Sequence, residues 1–189
     1  MTLTDAQLLA TAKLEYNMTP PSSQAFESIL LRYEKLIYYI ARRYFSSTED
    51  VLDASQDASL KIYNGLPRIT IAEDGSLKPW ICTVVARTCI DALRKNKVAT
   101  VDITDDAVQH SLPTAISAEE TASVNERANE ILTAIKNLPN DARMIIILRD
   151  MQGLSYDEIA KCMELNVGTV KSRLSRARAM LKKAIDAGN

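Results

Sequence analysis

Tyr156-Asp-Glu-Ile-Ala-Lys-Cys-Met163, Glu164-Leu-Asn166 and Val167-Gly-Thr-Val-Lys-Ser-Arg-Leu-Ser-Arg-Ala-Arg178 follow one another without a gap, and their order decides the fold. The first segment has the spacing of a short amphipathic helix. The next three residues have room only for a turn, and Asn166 suits the N-cap of a longer helix reaching about Ile185. A short helix, a tight turn and a longer basic helix make a helix-turn-helix. In the longer helix Val167, Val170, Leu174, Ala177 and Leu181 share one face. Gly168, Thr169, Ser172, Ser175, Arg176 and Ala179 point the other way, with Lys171, Arg173 and Arg178 on the flanks, and no acidic residue occurs from Leu165 to Ile185. Small polar residues let a helix enter the major groove, and flanking cations reach phosphates. The competing reading is a basic helix solvated in a bundle, although solvated faces usually mix both signs of charge.

Immediately upstream, Val124 to Asn137 has helical spacing and Pro139 precedes another helix, Ala142 to Met151. The run Met144-Ile-Ile-Ile-Leu148 in that helix must be buried, and Gly153 ends it. Further back the chain changes character. Residues 1–97 carry 12 basic and 11 acidic groups and 124–189 carry 11 and eight, whereas 98–123 carry five acids and no base. That stretch reads as an acidic linker. The fold class expected is all-α, with two small helical domains, 24–97 and 124–189, joined by the linker 98–123 and preceded by an N-terminal segment, 1–23.

In the first domain Phe26, Ile29, Leu30, Tyr33, Leu36, Ile37, Ile40, Ala41 and Tyr44 keep the i, i+3, i+4, i+7 spacing of an amphipathic helix. Ser47 and Asp50 form a capping pattern for a second helix, stopped near Asn64 by Gly65 and Pro67. Residues 4–15 make a short earlier helix, set apart by Thr19-Pro-Pro-Ser22. Residues 67–78 form a loop, and Pro79 opens a third helix reaching about Lys97. The second helix places Val51, Ser55, Ala58 and Ile62 on one side and Asp53, Gln56, Leu60, Tyr63 and Asn64 on the other. Leu60 and Tyr63 are therefore either scattered surface hydrophobes or part of a partner-binding patch. In the third helix Ile81, Val84, Val85, Thr88 and Ala92 make a core stripe, while Trp80, Thr83, Arg87, Asp91 and Arg94 make another. An indole beside cations, on a helix ending Arg94-Lys-Asn-Lys97, fits single-stranded nucleic acid. Trp80 as core, with Arg87 paired to Asp91, is the bland alternative.

Composition removes several other classes. The 189 residues are 47% apolar and 25% charged, with five Gly and six Pro, as expected for a globular helical chain of net charge -1. No apolar run approaches the roughly 18 residues of a membrane span, and the first 25 residues lack a signal-peptide pattern. No membrane insertion is expected, and a cytoplasmic location is. Cys82, Cys89 and Cys162 lack CxxC spacing, and with the one histidine, His110, they make neither a zinc site nor a disulfide scaffold. Gly168-Thr-Val-Lys-Ser lacks the upstream glycine of a P-loop. No metal, cofactor or catalytic residue is therefore expected.

Gly168 to Arg178, preceded by Leu154-Ser-Tyr-Asp-Glu-Ile-Ala160 and Leu138-Pro139, resembles region 4 of bacterial sigma factors of the extracytoplasmic function group. Asp53-Ala-Ser-Gln-Asp57 with Leu60-Lys-Ile-Tyr63, and Trp80 with Ala86-Arg87 and Asp91-Ala-Leu-Arg94, resemble region 2 of that group. The resemblance covers about 24–97 and 125–184. It implies a polymerase specificity subunit with no catalytic site of its own. Its partners would be the clamp and flap of core RNA polymerase, promoter DNA and an anti-sigma factor. Asp53, Gln56, Asp57, Leu60 and Tyr63 would then contact core. Trp80, Thr83, Arg87, Thr88, Arg94 and Lys95 would handle the minus 10 element, and the 67–78 loop would capture a base flipped from the nontemplate strand. Thr169, Lys171, Ser172, Arg173, Ser175, Arg176 and Arg178 would contact the minus 35 element.

The sequence departs from the family's usual pattern at Ser59, where an aromatic is common, at Thr88, where asparagine is, and at Glu164, where the turn usually has glycine. These positions imply altered packing or core affinity, an altered minus 10 contact and an altered turn. Elements about 17 base pairs apart lie roughly 58 Å apart, and 26 linker residues extend to roughly 85 Å, so the linker spans the gap. Its acids suit a basic channel, as the resemblance implies, or serve only as a solvated tether. Two other readings compete: a stand-alone helix-turn-helix repressor with a ligand-binding or dimerising N-terminal half, and, more weakly, an enzyme. Neither predicts a polymerase partner.

Overall fold

The computed structural model describes residues 3–18, 23–100 and 121–187, with side chains except at 96–100 and 121–127. Most of the acidic linker, with His110, lies outside the described residues, as does the Thr19 to Ser22 separator. The described residues contain helices and no strand.

Helix α1 (Asp5–Tyr16) starts at Thr4, whose side chain accepts from the Gln7 amide while Gln7 returns a bond to the Thr4 amide. α2 (Gln24–Ala41) buries Ile29, Tyr33, Ile37 and Ile40 along the stripe expected from its spacing. α3 (Thr48–Gly65) begins at the Ser47 cap and buries Val51, Ala54, Ala58 and Ile62. A short 3-10 turn (Leu66–Arg68) and a loop lead to α4 (Lys78–Thr100). α2, α3 and α4 pack on one another, and α1 packs on α2 through Leu8, Leu9 and Ala12. The segment set apart by sequence as 1–23 thus contributes a helix to this unit.

In the other half α5 (Thr121–Lys136) begins, and α4 ends, inside the stretch read as linker. The six residues concerned, 98–100 and 121–123, carry none of that stretch's acids, so the composition change does not mark the helix ends. α6 (Asn140–Ile146) continues as a π-helical turn (Ile147–Met151), closed by the Gln152 amide donating to the Ile147 carbonyl at 2.9 Å. Sequence spacing predicted one regular helix here. The wider turn comes where consecutive residues from Met144 to Leu148 are all buried, more than one face of a regular helix can hide. α7 (Tyr156–Met163) has a Ser155–Glu158 capping box, and α8 (Val167–Asp186) is capped by Asn166, whose side chain accepts from the Thr169 amide at 2.7 Å. α8 packs on α5, α6 and α7 through Val170, Leu174 and Ala177. Burial of Val170 and of Leu174 contributes roughly 1.5–3 kcal/mol each.

The two units touch. α4 lies against α7 and the π-helical turn, so their cores join.

Candidate functional site

Three surfaces carry the residues singled out by sequence, and the structure treats each differently. The outward face of α8 is as expected: Gly168, Ser172, Ser175, Arg176 and Ala179 are exposed and Thr169 half-buried. The flanking cations are not equally free. Arg178 makes two bonds to the Asp150 carboxylate, at 2.5 and 3.0 Å, which raise the guanidinium pKa, and Arg173 lies 3.8 Å from Asp141. Lys171 sits 5.6 Å from the centre of the Tyr156 ring. The turn before α8 explains the glycine usual at its Glu164 position. Glu164 has φ 56°, in the left-handed region, where a side chain costs roughly 1–2 kcal/mol.

The second surface is a groove of about 1190 Å³ between α2 and α3. Gln56, Leu60 and Tyr63 line it as expected, together with Ser55 and Ser59. Asp53 and Asp57 are exposed on α3 but outside the groove lining. Ser59 spends its hydroxyl on the Ser55 carbonyl, at 2.9 Å, and leaves room where a ring would fill the groove floor. Tyr63 is half-covered, its ring 4.8 Å from Phe26 and 5.2 Å from Tyr16 between centres. Sequence reasoning missed the other wall, where Leu31 is 75% exposed beside Tyr38 and Tyr39 on α2. The available signal was a second apolar spacing, 31 to 38, off the core stripe. With Leu52 and Leu60, this makes a continuous apolar patch rather than scattered hydrophobes.

The third surface is the Trp80 stripe of α4, and here the expected open face is partly covered: Thr83 is buried and Trp80 half-buried, while Arg87 and Asp91 are exposed. Trp80 is half-buried against Gly65, where an added Cβ would stand 2.7 Å from the indole Cζ2; glycine is what allows the ring to lie there. Thr83 and Thr88 are buried, and their hydroxyls donate to the carbonyls of Pro79 and Val84, at 2.9 and 2.8 Å. A threonine in a tight helix interface has its own carbonyls nearest at hand. Arg87 does not pair with Asp91, which bonds Lys61 at 3.3 Å; it donates to the Cys162 carbonyl at 3.0 Å and lies 3.4 Å from the Glu164 carboxylate. Lys78 donates to the Gln152 carbonyl at 2.8 Å, and the Cys162 thiol to the Pro79 carbonyl at 3.4 Å. Arg94 and Lys95 stay exposed. The helix-turn-helix thus lies on the stripe. Burial raises the Cys162 thiol pKa, and pushes those of Cys82 and Cys89 up to about 12. These are packed thiols rather than nucleophiles. Among the described residues no cluster could hold a metal ion and no helix is long and apolar enough to cross a membrane.

Two helical units in this order, one ending in a helix-turn-helix, define a protein of the sigma-70 type: residues 29–98 match the family model Sigma-70 region 2, and 128–181 the model Sigma-70, region 4. The chain is 31% identical to the ECF RNA polymerase sigma factor SigM of Mycobacterium tuberculosis over 161 residues, 85% of this chain and 77% of that protein. It is also 31% identical to the ECF RNA polymerase sigma-E factor of Escherichia coli K12 over 169 residues, 86% of this chain and 87% of that one. Sigma factor RpoE of Bartonella quintana, solved with the anti-sigma factor NepR, shares the fold. Its TM-score is 0.65 at 23% identity, covering 87% of this chain and 98% of that one. The chain belongs to the extracytoplasmic function (ECF) RNA polymerase sigma factors. It is an alternative sigma factor, a subunit that directs RNA polymerase to promoters, and the stand-alone repressor reading is not favoured.

Proposed function

We propose that the α2–α3 groove receives core polymerase, that the α4 stripe and the 67–78 loop open and read the minus 10 element, and that the outward face of α8 reads minus 35. The observation that carries this is the division of labour among surfaces. The apolar groove suits a protein partner, and α8 presents small polar and basic groups suited to duplex DNA. The chain supplies binding energy and no catalytic group, and it acts where polymerase and DNA are, in the cytoplasm. An amphipathic helix of an anti-sigma factor fits the same apolar groove and would compete with core there. The domain limits 24–97 and 124–189, with 98–123 as the tether between promoter elements, belong to the same proposal.

The α8 assignment is tested by a binding series against promoter duplexes changed one base at a time, at several salt concentrations. Arg176→Ala is expected to relax base preference at one minus 35 position, costing about 1–3 kcal/mol there. Lys171→Ala should weaken binding to every sequence alike and lower the salt slope by about one charge. Arg178→Ala should change the slope less, because Asp150 already neutralises that guanidinium. A uniform loss from Arg176→Ala with altered preference from Lys171→Ala would mean that α8 meets DNA through another face.

A further inference from the structure

α1 precedes the residues matched as region 2, which begin at 29, and no motif singled it out. Glu15 accepts from the Ala25 amide at the start of α2, at 2.8 Å. Two other polar side chains of α1, Asp5 and Lys13, reach one further feature, the loop between the 3-10 turn and α4. Near one end of that loop the Lys13 ammonium donates to the Ile69 carbonyl at 2.5 Å. At the other end Asp5, only 9% exposed, accepts from the Leu77 amide at 2.8 Å and from the Ser76 hydroxyl at 3.1 Å. The same carboxylate accepts from Arg32 at 2.6 Å and from the Tyr33 hydroxyl. Burial works against that charge, but the donors from Tyr33, Leu77, Arg32 and Ser76 outweigh it and hold the Asp5 carboxyl below its ordinary pKa.

Such a network costs desolvation that an apolar side chain would avoid, and Leu8, Leu9 and Ala12 already seal α1 against α2. What the carboxylate adds is direction. Its bonds fix where residues 76 and 77 leave the loop, and the Lys13 bond fixes where residue 69 enters it. Eight residues separate Asp5 from Lys13, about 12 Å of rigid helix. Ala72, Glu73 and Asp74 at the tip are exposed. A turn bond from the Gly75 amide to the Ala72 carbonyl, at 2.8 Å, and the packing of Ile71 on the core shape the tip itself. Asp5 and Lys13 set where its two ends stand.

We infer that α1 is a brace that sets the ends of the 69–77 loop, with Asp5 and Lys13 as positioning residues for the base this loop receives. The inference rests on the proposed reading of the loop as the minus 10 base receptor. The test reconstitutes the full chain with core polymerase and measures open-complex formation on a promoter library randomised through the minus 10 element. Asp5→Asn, Lys13→Met and a control with residues 70–74 replaced by glycine and serine are compared with the parent. A read base discriminates on the order of 10- to 100-fold. Asp5→Asn and Lys13→Met should each reduce that ratio about fivefold or more at one position. Core affinity should stay unchanged, a split that a merely structural role would not produce. If the control loses discrimination and both brace variants keep it, the inference is overturned. If the control also keeps it, the loop is not the base receptor and the inference falls with that reading. Lys13→Met removes one bond at a half-buried side chain, so a folding defect in Asp5→Asn leaves a second variant to decide.

Discussion

Leu60→Arg is expected to lower affinity for core polymerase by about 100-fold or more while leaving helix content and melting temperature unchanged. The side chain is 62% exposed in the free chain, so little of the fold depends on it. In the proposed complex it sits in the apolar groove facing Leu31, Tyr38 and Tyr39 across the gap between α3 and α2. The groove lining carries Lys35, Arg42 and Arg43 against one carboxylate, Glu34, so a guanidinium there would lose its water in surroundings that are already net basic. A poorly paired buried charge is among the most expensive changes an interface can suffer. Leu52→Arg, on the same wall and 49% exposed, should act in the same sense. Asp57→Ala, on α3 but outside the groove lining, should cost much less. A titration of labelled sigma factor with core, alongside circular dichroism, reads all three variants. Native-strength binding by Leu60→Arg would remove the groove from the core interface.

The second large effect concerns Cys162. In the free chain α7 lies on α4, the thiol donates to the Pro79 carbonyl, and burial raises its pKa. On the proposed reading the two promoter elements lie roughly 58 Å apart, and holoenzyme formation on a promoter is expected to part these helices. The contact joins the two cores and carries the bonds of Lys78, Arg87 and Cys162, with one ion pair as its weakest part. The Arg87–Glu164 pair is exposed, and such pairs are worth about 0–1 kcal/mol. Once α7 leaves, Cys162 regains water, and each unit by which its pKa falls raises the thiolate fraction about tenfold. Maleimide labelling of Cys162 is therefore expected to accelerate about tenfold or more in the promoter-bound holoenzyme. Cys82 and Cys89 are fully buried in the free chain, with Glu158 of the second unit near the first and Arg143 near the second, so they should gain labelling less than Cys162 does. Mass spectrometry of labelled peptides separates the three. Equal protection of Cys162 in both states would show that the α4–α7 contact survives promoter binding. Glu164→Gly should change labelling of the free chain little, because Arg87 keeps its bond to the Cys162 carbonyl, at 3.0 Å.

Much of this was legible in the sequence where the signal was local. The capping residues Ser47 and Asn166, the inward face of α8 and the core stripes of α2 and α3 follow from spacings of three and four residues, and the structure keeps them. The Ser155–Glu158 box has the same spacing, but sequence reasoning missed it. The oddity of Glu164 was also visible, although not that its carboxylate faces Arg87. What stayed hidden depends on separations that no periodicity encodes. Asp5 meets Leu77 across 72 positions, Arg87 meets Cys162 across 75, and α1 had no reason in its own residues to belong with α2. Thr83 shared a helix face with Trp80 and Arg87, but whether that face is open is decided by α7 rather than by α4. The exposed wall of α2 was masked by its stronger core stripe. Local spacing gives faces; only packing tells which faces remain free.

The central claim, that this chain confers promoter choice on polymerase through these surfaces, is tested most directly by adding it to purified core RNA polymerase and mapping transcript starts on sheared genomic DNA. The account predicts discrete starts that core alone does not make, each preceded by a shared pair of elements about 17 base pairs apart, roughly 58 Å along the duplex. Their loss with Leu60→Arg would tie them to the groove. Starts identical to those of core alone, from a folded chain, would contradict it.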